Sequence, residues 1–141
     1  MSTIITRATK GSPLTHDQVD ANFTNLNTDK AGYIAGEGGT TTQGTSKSTP
    51  PTALNKKCGT ITMHNASLAA NTTVSFTLTN SEIGATDVVV LNHSSGGTAG
   101  AYALNAQAAA GSVAINVRNI TAGALSEAIV IRFALINAVI S

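Results

Sequence analysis

Thr73-Val74-Ser75-Phe76-Thr77-Leu78-Thr79 alternates without a break. A period of two puts Val74, Phe76 and Leu78 on one side of an extended chain and four hydroxyl side chains on the other. That is the pattern of a strand with one face on a core and one in water. Ser112-Val113-Ala114-Ile115-Asn116-Val117-Arg118 repeats it, and Gly59-Thr60-Ile61-Thr62-Met63-His64 places Ile61 and Met63 on a common face. Ala101-Tyr102-Ala103-Leu104 is a weaker run of the same kind. Asp87-Val88-Val89-Val90-Leu91 is apolar at consecutive positions, which predicts a strand buried on both faces.

The longest apolar run covers residues 128–140. Ile129, Ile131, Phe133 and Leu135 share one face, while Val130, Ala134, Ile136 and Ala138 line the other. Two apolar faces exceed what one small sandwich shelters, so Val130, Ala134, Ile136 and Ala138 are the candidate subunit interface. Turn signals (Asn65-Ala66-Ser67, Asn80-Ser81, Ser95-Gly96-Gly97, Ala110-Gly111, Ala122-Gly123) separate the runs. The fold class is therefore all-β: a C-terminal antiparallel β-sandwich, jelly-roll-like, preceded by a short N-terminal helix and an extended arm. Its units are residues 1–31, 32–57 and 58–141.

Charge points to association. Only 11% of the 141 residues are charged and the net charge is +1, against about 25% charged in an average soluble domain. Six of the eight basic residues precede Cys58; after it come only Glu82, Asp87, Arg118, Glu127 and Arg132. A near-neutral surface resists association weakly, and a core this small gains from oligomerisation. Scattered lysines cannot neutralise a run of phosphates, so nucleic acid is not an expected partner. The lone Cys58 excludes an intrachain disulfide and is expected as a buried thiol. The N-terminus lacks the apolar core of a signal peptide, and the run 128–140 is broken by Arg132 and Asn137, short of a helical bilayer span. Neither export nor membrane insertion is expected.

Leu14-Thr15-His16-Asp17-Gln18-Val19 carries a helix start. Thr15 as N-cap and Gln18 three residues on make a capping box, with Leu14 and Val19 placed for a hydrophobic staple. Val19, Phe23 and Leu26 then fall on one face, and the helix should end near Asn27. So short a helix is marginal alone, and its stripe needs either the β domain or another protein. The length of the following Gly/Thr/Ser-rich tract favours another protein. That tract, 32–57, reads as a linker, or as an arm ordered only on a neighbour.

No enzyme is expected. His16, His64 and His93 lack carboxylates at metal-ligand spacing, no nucleophile elbow or acid–base pair is legible, and Ser94-Ser95-Gly96-Gly97-Thr98-Ala99-Gly100 lacks the Gly-Lys-Ser/Thr ending of a phosphate loop. It reads as a flexible hairpin loop. No catalytic residue, metal or cofactor is assigned. Asn65-Ala66-Ser67, Asn71-Thr72-Thr73 and Asn119-Ile120-Thr121 match the glycosylation pattern by chance in an Asn- and Thr-rich chain.

At Gly11-Ser12-Pro13-Leu14-Thr15 and Asp20-Ala21-Asn22-Phe23 the chain resembles the N-terminal segment of tailed-bacteriophage virion proteins. The stretches Ser46-Lys47-Ser48-Thr49, Leu54-Asn55-Lys56, Val74-Ser75-Phe76-Thr77-Leu78-Thr79-Asn80 and Gly96-Gly97-Thr98-Ala99-Gly100-Ala101-Tyr102 resemble a module of head-decoration and fibre-tip proteins. The resemblance implies a non-enzymatic homotrimer, with Leu14, Val19, Phe23 and Leu26 attaching it to the virion. Phage tail fibres with this leader normally continue into a long shaft, and here a β domain follows one linker. The expected role is a capsid decoration (cement) protein on the major capsid protein lattice, at the outer capsid surface. The alternative is a short tail or head fibre binding host-surface glycans through His93, Ser94, Ser95 and Thr98.

Overall fold

In the computed structural model, residues 4–28 and 38–138 are described. The chain runs α1 (Arg7–Lys10), α2 (His16–Thr28), β1 (Gly38–Thr42), β2 (Cys58–Thr62), β3 (Thr73–Thr79), β4 (Val88–Ser95), β5 (Tyr102–Ala109), β6 (Ser112–Asn119) and β7 (Val130–Ile136). The strands form an all-β sandwich of a four-stranded sheet, β1-β2-β7-β4, and a three-stranded sheet, β3-β6-β5. Neighbours pair antiparallel, apart from the parallel pair β1 and β2. No helix among the described residues is long and apolar enough to cross a membrane.

The core lies where alternation places it. Phe76, Leu78, Val113, Ile115 and Val117 face inward from the smaller sheet and Ile61, Ile131, Phe133 and Leu135 from the larger, all buried, with Met63 and Ile129 just beyond the strand ends. Each such side chain stabilises the fold by about 1.5–3 kcal/mol before entropy is subtracted. The weak run at 101–104 grows into the full strand β5 because its register with β6 holds from Tyr102↔Asn119 to Ala109↔Ser112. Ala110 and Gly111 turn that hairpin, Gly111 at φ 75°.

Two expectations are corrected. The tract at 32–57 is not all linker: from Gly38 it belongs to the sandwich, β1 pairing with β2 from Gly38↔Cys58 to Thr42↔Thr62. Residues 43–57 fold back over the domain through polar groups. The Gln43 amide donates to Lys47 O (2.9 Å) and Thr49 O (3.0 Å) and accepts from His64 N (3.1 Å). Leu54 lies over two paired glycines: a Cβ added at Gly39 would fall 2.5 Å from Leu54 Cδ1, and one at Gly59 would fall 2.9 Å from Leu54 Cδ2. Burial here needs hydrogen bonds more than apolar mass. Residues 29–37 of the tract lie outside the described residues.

The second correction concerns the run Val88–Leu91. Val89 and Leu91 pack on the core, but Val88 and Val90 are 51% and 48% exposed. The strand closes one edge of the four-stranded sheet, and no layer covers that sheet's outer face among the described residues. The last apolar run continues beyond β7 into Val139 and Ile140, which lie outside the described residues.

Candidate attachment and association surfaces

The leader is a small clasped unit. Thr15 and Gln18 complete the capping box, Gln18 N donating to Thr15 Oγ1 (3.3 Å) and Thr15 N to Gln18 Oε1 (3.1 Å). A second short helix, not foreseen, precedes it: Thr6 caps α1 by accepting from Thr9 N (3.1 Å), and Gly11 ends it at φ 71°. Two long contacts fold α1 and its approach onto α2. Lys10 Nζ donates to Gln18 Oε1 (2.7 Å) and Pro13 O (3.0 Å), while the Asn22 amide accepts from Ile5 N (2.9 Å) and donates to Ile5 O (2.7 Å).

While these polar contacts close the leader on itself, most of its apolar groups stay outside. Phe23 is 67% exposed and Val19 and Ile4 are 37% exposed, while Leu14 is half-buried. Leu26 lies within α2, but its side chain is outside the described residues. Neither helix packs substantially on a strand among the described residues. Val19 and Phe23 are one helical turn apart and form a stripe that no strand covers among the described residues.

The outer face of the four-stranded sheet divides into an apolar and a polar part. Register places Val88 beside Ile136, then Val90, Ala134, Cys58 and Gly38 in one row. The next row is Asn92, Arg132, Thr60 and Thr40. Ile136 is 49% exposed; Val130, Ala134 and Cys58 are half-buried, so the thiol is not enclosed as expected. The structure thus groups Ala134 and Ile136 with Val88 and Val90, two residues that the sequence reading had hidden in the core. Val130 stands at the polar end of β7 beside Thr62. Ala138 follows β7 and is held at the start of β4, its N–H donating to Asp87 Oδ1 (3.3 Å) and its carbonyl accepting from Thr86 Oγ1 (2.9 Å).

The outer face of the three-stranded sheet is of opposite character. Thr73, Ser75, Thr77 and Thr79 stand beside Arg118, Asn116, Ala114 and Ser112, and these beside Ala103, Asn105, Gln107 and Ala109. Asn116 accepts from Ser75 Oγ and donates to Asn105 Oδ1 (3.2 Å). One face of the sandwich is wetted by hydroxyls and amides; the other offers half-exposed valine and isoleucine.

His93, Ser94, Ser95 and Thr98 are brought together at the β4–β5 connection, on a loop well anchored for one read as flexible. Its anchor is Glu127, which accepts from Thr98 N (3.0 Å), Thr98 Oγ1 (2.6 Å) and Tyr102 OH (2.8 Å). The His93 ring donates from Nε2 to Gly96 O (2.6 Å) and stands edge-on to Tyr102, centroids 5.7 Å apart. Ser94 Oγ donates to Val130 O (3.2 Å). Neither Glu127 nor Tyr102 was singled out from sequence, and the 29-residue separation of Glu127 from Thr98 leaves no local signal.

Hydrogen bonds from the Thr98 hydroxyl and N–H and from Tyr102 hold the Glu127 carboxyl below its ordinary value, with the Lys47 ammonium adding to them. Burial and the Glu127 contact push the Tyr102 phenol up, so it remains a donor. A carboxyl depressed in the folded state contributes stability above its unfolded value, near 4.5, and loses it as pH falls through the folded value. Thermal melts should therefore show an acid limb below that value, and Glu127→Gln should flatten it. An unchanged limb in the variant would assign it to other carboxylates.

No group of three or more His, Cys, Asp or Glu able to hold a metal occurs among the described residues. Compared with protein-family models, curated proteins and solved structures, the chain matches none.

Proposed function

We propose that this chain is a non-enzymatic structural protein of a tailed-phage virion: a homotrimeric capsid decoration (cement) protein that binds the major capsid protein lattice and stabilises the head. The observation that carries the reading is the leader. It is preorganised by a capping box and two side-chain clasps, yet Phe23 and Val19 stay exposed and, among the described residues, neither helix packs substantially on a strand. A preformed apolar stripe at the end of an arm suits capture by a larger surface, because its ordering cost is already met before binding. The apolar part of the four-stranded face gives copies a place to pack.

Adding purified protein to undecorated heads tests this. The expected result is saturation at a copy number comparable with the capsid subunits, and loss of binding by Phe23→Asp with the sandwich still folded. A few copies confined to the tail would defeat the decoration reading.

One observation favours the alternative of a fibre contacting host-surface glycans. The loop bearing His93, Ser94, Ser95 and Thr98 is fixed by Glu127 and exposes its polar residues in a set geometry. Preorganised polar loops bind at lower entropic cost. Blocking of adsorption by the purified protein, lost in Ser95→Asp, would support that role.

A further inference from the structure

Lys47 lies in the segment between β1 and β2 and is 4% exposed. Its ammonium donates to His64 O (2.6 Å) and to the backbone carbonyl of Glu127. Glu127, through its side chain, holds Thr98 and Tyr102. One residue therefore joins two segments that share no strand pairing: the return segment at 43–49, which continues from β1, and the exposed loop at 96–100.

We infer that Glu127 couples these two segments, so that the return segment and the exposed loop order and open as a single unit distinct from the sheet ladders. Apart from Glu127, each segment is held mainly by polar contacts close to its own ends. The return segment closes on itself through Gln43, whose amide binds Lys47 O and Thr49 O, and it meets the sheet at Thr62 and His64. The loop carries Gly96, Gly97 and Gly100 at positive φ, and residues 95–100 are all exposed. The close fit at its base points the same way: a Cβ at Gly97 would fall 2.7 Å from Glu127 Oε2, and one at Gly96 would fall 2.4 Å from Ala128 O. A loop seated this closely on residues 127 and 128 must follow them if they move, and residue 127 follows Lys47. Groups with few apolar contacts and shared polar anchors open cooperatively below the global unfolding free energy.

The consequence is a mechanical connection from the segment that follows β1 to an exposed loop on the domain. It stands on these contacts alone and holds whichever partner the leader or the loop meets. Amide-resolved hydrogen exchange on the full chain tests it from both ends. Thr98→Val with Tyr102→Phe removes two of the three donors to the Glu127 carboxylate and leaves the return segment's own sequence intact. The expected result is roughly five- to tenfold faster exchange at the Gln43, Thr49 and His64 amides, the size of effect that the net loss of about one hydrogen bond gives. The Phe76 and Ile115 amides of the β3–β6 ladder should be unchanged. Lys47→Met, from the opposite end, should speed exchange at Thr98 and Ala101. Acceleration confined to the segment carrying the substitutions overturns the coupling. So does acceleration shared equally by the ladder amides, which reports global destabilisation. Should Lys47→Met fail to fold, the Thr98/Tyr102 variant decides the question by itself.

Discussion

Replacing Asn119 with alanine lowers the stability of the sandwich by about 2–4 kcal/mol, the cost of removing a buried amide whose partners are then left short of hydrogen bonds. Asn119 ends β6 and is fully buried. Its Nδ2 donates to Leu68 O (3.0 Å), Ala69 O (3.2 Å) and Gly123 O (2.8 Å), while Oδ1 accepts from Thr121 N (2.9 Å) and Thr121 Oγ1 (2.8 Å). The side chain thus ties the β2–β3 connection to the β6–β7 connection, beside the Leu68↔Leu125 bridge. Two of these carbonyls keep another donor: Leu68 O accepts from Leu125 N and Ala69 O from Thr72 N. That is why the loss stays below the sum of five bonds.

Thermal unfolding reads the effect as a drop on the order of 15 °C in Tm, scaling as a domain of this size does. Asn116→Ala is the informative control. It lies on the same strand and is also hydrogen-bonded through its amide, but on the hydroxyl-covered face where water replaces lost partners, so it should cost under about 0.5 kcal/mol. Equal losses at the two positions would mean that burial does not decide the value of these amides.

Asn119 also shows what the sequence can and cannot convey. Asn119-Ile120-Thr121 reads as a glycosylation pattern arising by chance; in the fold both polar residues are committed to each other and to the chain. The strands at Thr73–Thr79 and Ser112–Asn119 are legible because each has contrasting faces and the contrast survives folding. The capping box is legible because both partners lie within one turn. Val88 and Val90 are misread because consecutive apolar residues look the same in a central strand as at an edge whose outer face is uncovered. The segment from Gly38 to Lys57 is misread for the opposite reason: apart from Pro51 its buried members are Thr41, Gln43 and Lys47, and nothing in polar composition distinguishes a solvated linker from a polar segment satisfied by backbone carbonyls. Glu127 depends on a lysine 80 residues away, a relation that only three dimensions supply.

Val90→Asp should dissolve the proposed trimer into monomers. Val90 stands beside Ala134 in the row that continues to Cys58, next to the Val88–Ile136 pair, and is 48% exposed. If copies pack through this patch, each Val90 loses its remaining contact with water on assembly. An aspartate there forfeits that apolar burial and adds a charge with no cation beside it in its row; the nearest, Arg132, stands one row away across from Asn92. Together these cost about 2–4 kcal/mol per interface, or roughly 30- to 1,000-fold in dissociation constant. Because Val90 points away from the core, the variant should melt as the isolated subunit does. Thr77→Asp places the same charge on the polar face of the three-stranded sheet and should leave assembly unchanged, which separates a located interface from a general effect of charge on a nearly neutral chain. Sedimentation velocity or native mass spectrometry distinguishes the outcomes. A wild-type chain that stays monomeric at micromolar concentration removes self-association from the account. A trimer indifferent to Val90→Asp but broken by Thr77→Asp moves the contact to the opposite sheet, and with it the face that a capsid lattice would meet.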